Sequence, residues 1–287
     1  MIRRNVVSIV AVCGALAVGV ALGSGPLSDL GHADPQPAKA PADVSRQVRE
    51  EASAGASFAS AVGQRLLAGS LSGKRVTVVA MPGADTATTR RLSDQIRRAG
   101  GTVGNTVRIL PAALDPSRKT FDDTLARQLA RQFAGRVRAG QTTYRLFGQV
   151  IGATYGAHVQ VSASTADQLT ASKTLVAGKV VRADLGPGPG TLGLLVLGDH
   201  VDPSVLTDLV AGVGAAFNGL VVAGDSASAH GDLRLLRAQH WGSWFASVDG
   251  IDTEVGRVAT GLALARQVHR RGGDFGASGF EGIAATG

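Results

Sequence analysis

The apolar positions of this chain fall into three patterns. The first is one long run without charge, residues 5–22, with Arg3 and Arg4 just before it. A helix rises about 1.5 Å per residue, so this run can cross most of a hydrocarbon core of about 30 Å. Residues 1–23 are therefore expected to be a transmembrane helix or uncleaved signal anchor. The arginines stay inside, and the rest of the chain is delivered outside. The small-x-small pattern Gly31-His32-Ala33 would suit cleavage but lies far from the run. Ala15, Gly19 and Gly23 recur every four residues, a spacing that lets two helices approach as a homo-oligomer. A Gly- and Ala-rich composition explains them equally.

The second pattern is the short apolar run bounded by turn residues: 75–80, 102–109, 192–197 and 220–223, with 179–182 and 243–248 less marked. The continuously apolar runs, 192–197 above all, suit strands covered on both faces. The third pattern has a period of three to four and predicts helices. They cover about 44–67, 86–99, 121–137, 166–177, 203–217 and 254–271. Phe121, Leu125, Leu129, Phe133 and Val137 form one such stripe, with Thr120 placed to cap it. Asp202 caps the helix that opens on Pro203. Residues 140–165 show no legible period.

Strands alternating with helices predict a layered, Rossmann-like α/β domain with a mainly parallel sheet. The expected organisation is an anchor at 1–23, a Pro-rich linker at 24–45, the α/β domain at 46–273 and a flexible Gly-rich tail at 274–287. The regular alternation of apolar and polar residues that a membrane barrel needs is not found.

Charge alters this picture locally. The net charge is +7, and residues 90–145 hold twelve Lys and Arg against four Asp, enough to account for the excess. Acidic wall polymer or anionic lipid suits such a surface. Nucleic acid does not, because no stacking aromatics interleave the arginines. Aromatic residues make up only 4% of the chain. Cys13, the single cysteine, lies in the apolar run, so no disulfide forms within the exported part.

Candidate chemistry is sparse. Two expected neighbouring strands both end in Gly-Asp: Gly198-Asp199-His200 and Gly224-Asp225-Ser226. In a parallel sheet both open on the carboxyl edge, where α/β proteins bind ligands. Asp199, His200 and Asp225 are accordingly weak metal-contact candidates, although Gly-Asp also simply suits turns. Asp249, Asp252 and Glu254 could ligate a hard cation, or Asp252 or Thr253 could cap the following helix. No dinucleotide fingerprint, phosphate loop, nucleophile elbow or zinc-protease motif occurs, so no enzyme and no resident cofactor is expected. The six histidines are scattered, and Met81 is the only methionine after Met1. Soft metals want thiolate, thioether or clustered imidazole, so a tight copper site is not expected.

The segment Ser247-Val-Asp-Gly-Ile-Asp-Thr-Glu-Val-Gly-Arg257, with an apolar helix running on to Gly272-Gly273, resembles the C-terminal signature of the mycobacterial copper transporter family MctB. The order of parts is similar too: a short basic start, the apolar run, a Gly-Lys-x-Val-x-Val strand at 73–78, and Gly-Leu-Val-Val-Ala-Gly-Asp at 219–225. The stretch after the apolar run is shorter and Pro-rich here, and the tail holds no histidine. The resemblance implies an actinobacterial envelope protein that lowers cellular copper, with copper as the transported ion and a pore in the outer membrane. It carries over no catalytic residue. The alternative is a membrane-anchored α/β scaffold, or a module that binds ligand or wall polymer without transporting.

Overall fold

The computed structural model describes residues 42–282, except 134, 139, 159–163 and 240. The expected anchor at 1–23, its Ala15, Gly19 and Gly23, the pattern at 31–33 and the linker up to residue 41 lie outside the described residues. The chain divides into two compact units, Met1–Ser57 and Phe58–Gly287. Helix α1 (Ala42–Leu67) begins in the first, where residues 49–57 are exposed. Among the described residues, no helix is long and apolar enough to cross a membrane.

The second unit is an α/β sandwich around one seven-stranded sheet. In chain order, β1 (Arg75–Ala80), α2 (Thr86–Arg98) and β2 (Thr102–Ile109) come first. Three helices follow: α3 (Lys119–Gln132), α4 (Thr143–Tyr155) and α5 (Thr165–Ala177). Then come β3 (Val181–Asp184), β4 (Leu192–Val196), α6 (Pro203–Gly214), β5 (Gly219–Ala223) and α7 (Asp232–Arg237). The chain closes with β6 (Phe245–Val248), α8 (Glu254–Gln267) and β7 (Gly273–Phe275). The strand order is β3-β2-β1-β4-β5-β6-β7. All neighbours are parallel except β2 and β3.

The apolar runs have the physical cause that their composition implies. Side chains alternate across a strand, and here both faces are dry. Val79, Leu195 and Val222 point into a core shared with α3 to α7. Val78, Leu194 and Val221 point into a second core formed with α2, α8 and Leu67.

Three local differences from the sequence reading have physical reasons. Thr120 does not cap α3, which starts at Lys119 with Arg118 at the cap position and no capping side chain. The chain already enters through two 3-10 turns, Pro111–Leu114 and Pro116–Arg118, so there is no extended residue to act as a cap. Phe121 does not join the core: it is exposed, with the Arg118 guanidinium 4.9 Å from its ring centre. The sheet also runs into the stretch read as a Gly-rich tail, since β7 pairs with β6 and buries Phe275.

The illegible stretch 140–165 contains α4, which is buried along most of its length. It packs against α6 through Gly148 and Gly212. A Cβ at Gly148 would lie 2.5 Å from the Leu209 carbonyl oxygen, and one at Gly212 would lie 2.3 Å from that of Arg145. A helix covered nearly all round has no polar face, so no amphipathic stripe marks it.

Asp122, in the first turn of α3, is buried, and neither carboxylate oxygen has a hydrogen bond among the described residues. Loss of water raises its pKa above the ordinary 3.8, while Arg118, 3.6 Å away, acts in the opposite direction. A raised folded-state value makes the charged form a cost at neutral pH. That cost disappears as pH falls through the raised value. Asp122→Asn is therefore expected to melt about 2–4 °C higher than the wild type at pH 7 and to lose this advantage at acid pH, below the ordinary value. Calorimetry at the two pH values checks it; equal melting at both would contradict it.

Candidate functional site

The carboxyl ends of the parallel strands bring three loops to one edge of the sheet: 81–85 after β1, 198–200 after β4 and 224–226 after β5. The strand order reverses between β1 and β4, the place where sheets of this type open a ligand crevice. Here the crevice is closed. The Asp199 amide donates to the Pro82 carbonyl at 2.8 Å. The Asp199 carboxylate lies against Gly83, whose φ is +76°; a Cβ there would sit 2.1 Å from the carboxyl carbon. The N-terminus of α2 is capped by Asp85, which accepts from the Thr88 amide at 2.7 Å. The two features that hold a dinucleotide pyrophosphate, an open crevice and a free helix N-terminus, are both taken by the protein's own carboxylates.

His200 sits beside this closed crevice. Its Nδ1 lies 2.7 Å from Oδ1 of Asp232, the first residue of α7. The imidazole side chain is 74% exposed and the carboxylate only 9%. In a neutral imidazole, a carboxylate beside Nδ1 favours the tautomer with its proton on Nδ1 and its lone pair on Nε2. Histidines that bind metal are commonly oriented in this way. Asp225 has a local partner, accepting from the Ser228 amide at 2.8 Å. The structure thus places Asp199, His200 and Asp225 on the same edge, with His200 held by Asp232 and Asp225 by the Ser228 amide. Among the described residues, no group of three or more His, Cys, Asp or Glu is placed to hold a metal ion.

The carboxylates before α8 are likewise engaged one by one. Asp249 is 2% exposed and accepts from Arg237 at 3.1 Å, the Ala277 amide at 2.7 Å and the Ser278 amide at 3.1 Å. Arg237 also reaches the Phe275 carbonyl at 2.8 Å and the Ser247 hydroxyl at 2.6 Å, so the pair locks β7 onto β6. Asp252 accepts from the Ser226 amide at 2.8 Å, and Glu254 from Arg257 at 2.7 Å. Thr253 caps α8, accepting from the Gly256 amide. The sequence reading missed Asp232 and Arg237. Each lies in a short helix between turns, and no local pattern points from Asp232 back to His200.

The chain matches a family model described as "Copper transport outer membrane protein, MctB" over residues 1–282. No curated protein matches it.

Proposed function

Since the chain belongs to the family of the copper transport outer membrane protein MctB, we propose that it takes part in moving copper out across the cell envelope, and so in copper resistance. The match over residues 1–282 carries this reading, and the family's description fits a place in the cell envelope or outer membrane. Copper is the cargo in this reading, and no enzymatic step belongs to it.

The contact with copper is weak and centres on His200, with Asp199 and Asp225 on the same edge. Asp232 holds the ring at Nδ1, and the His200 side chain is largely exposed. One imidazole and scattered carboxylates hold copper loosely, and an ion in transit must also leave. The described sheet is open, with β3 and β7 as its edges. A second reading, a non-transporting envelope scaffold or ligand-binding module, draws support from that open sheet and from the helices on both its faces.

Deleting the protein is expected to raise cell copper and copper sensitivity, and the wild-type chain to restore both. The Asp199→Ala, His200→Ala, Asp225→Ala triple variant should restore them poorly. Unchanged copper in the deletion strain overturns the transport reading and favours the scaffold. Full rescue by the triple variant removes these residues from the mechanism.

A further inference from the structure

A cleft of about 490 Å³ lies at the opposite edge of the sheet, where α6 ends and β5 begins. Its walls carry Arg136, Arg138, Arg145, Gln149, Trp244 and Arg270, and no carboxylate lines it among the described residues. Arg145 is partly balanced by Asp208 at 3.9 Å. Arg136, Arg138 and Arg270 make no ion pair among the described residues. The cleft is therefore strongly positive and concave.

Its aromatic wall is rigid. Trp244 lies over Gly214, where a Cβ would be 2.4 Å from the ring. It also meets Trp241 and Phe245 edge to face, at 5.6 and 6.0 Å between ring centres. Trp241 is fixed in turn by donating its indole N–H to the Leu236 carbonyl at 2.7 Å. The floor is small: Gly212, Ala215 and Ala216. The Gln149 side-chain oxygen accepts from the Arg138 amide at 3.1 Å and so ties the arginine loop to α4.

We infer that this cleft binds an anionic sugar, with its ring on Trp244 and its phosphate or carboxylate on Arg138 and Arg270. An indole face is apolar and flat and suits the C–H face of a pyranose, while guanidinium groups match phosphate and carboxylate with paired hydrogen bonds. The volume falls in the range of small-ligand sites, roughly 300–1,000 Å³. A flat lipid surface would not use a recess of this kind, and a nucleic-acid track would need several stacking aromatics in line. This inference does not depend on the copper reading, because the cleft and His200 lie at opposite edges of the sheet.

The test uses the purified full-length chain and its own fluorescence, since both tryptophans of the protein belong to this aromatic group. Glucose 1-phosphate and glucuronate are titrated against inorganic phosphate, glucose, and vesicles containing phosphatidylglycerol. The charged sugars are expected to shift the fluorescence and to bind about tenfold more tightly than phosphate or glucose, with affinity falling as salt rises. Arg138→Ala with Arg270→Ala should weaken binding at least about tenfold, the size of one lost charge-assisted bond, and leave melting unchanged. Trp244→Phe should keep phosphate binding and lose the preference for sugar. Equal binding of phosphate and sugar phosphate, or vesicle binding without sugar binding, overturns the inference.

Discussion

Val222→Asp is expected to leave no folded domain, and Leu197→Asp to come close to the same result. Val222 is fully buried within β5, and Leu197 lies just past the end of β4 in the same core. An aspartate at 222 would point into the buried apolar cluster that also holds Leu195, Val213 and Leu220. An uncompensated buried carboxylate costs several kcal/mol, against a total stability of roughly 5–15 kcal/mol for a domain. The milder effect at Leu197 follows from its place beside the exposed Gly198. The soluble yield and thermal melting of each variant check this. A soluble Val222→Asp protein with a cooperative transition would show that this position is not part of the core.

Arg237→Ala should destabilise by about 3–5 kcal/mol, the usual cost of removing one partner of a buried ion pair. Asp249 would keep the amides of Ala277 and Ser278 but lose its countercharge. The Phe275 carbonyl would lose its side-chain donor. The damage should begin at β7, because Arg237 touches β6, β7 and residue 278 together. Hydrogen exchange should therefore quicken at 273–279 before the rest of the sheet. Asp249→Asn keeps an acceptor for the two amides and should cost less. Uniform exchange in Arg237→Ala, without early opening of β7, would contradict this account of the latch.

The fold was legible where local chemistry and packing agree. Leu192 to Leu197 and Leu220 to Ala223 announce strands covered on both faces because they lie between two cores. Asp202 and Pro203 announce a helix start because cap and first-turn preferences are local. Long-range pairing is not written locally. Nothing in Val181–Asp184 says that it turns back antiparallel on β2, and nothing in Thr143–Tyr155 separates a buried helix from a buried strand. The site follows the same rule. The positions of Asp199, His200 and Asp225 at the carboxyl edge came from strand order. Asp232, 32 positions after His200 in the chain, came only from the fold. Asp249 looked like a ligand beside Asp252 and Glu254, yet Arg237 and the 277–278 backbone claim it.

The central claim is that copper meets this protein weakly, and at His200 first. The direct measurement is an NMR titration of the full-length chain, labelled at its six histidines, with copper(II). The account predicts that the His200 ring signal broadens before the others and without saturation at one equivalent. Asp232→Asn, which loosens the ring, should shift that onset to higher copper. A tight stoichiometric site, or broadening that begins at another histidine while His200 stays sharp, would contradict it.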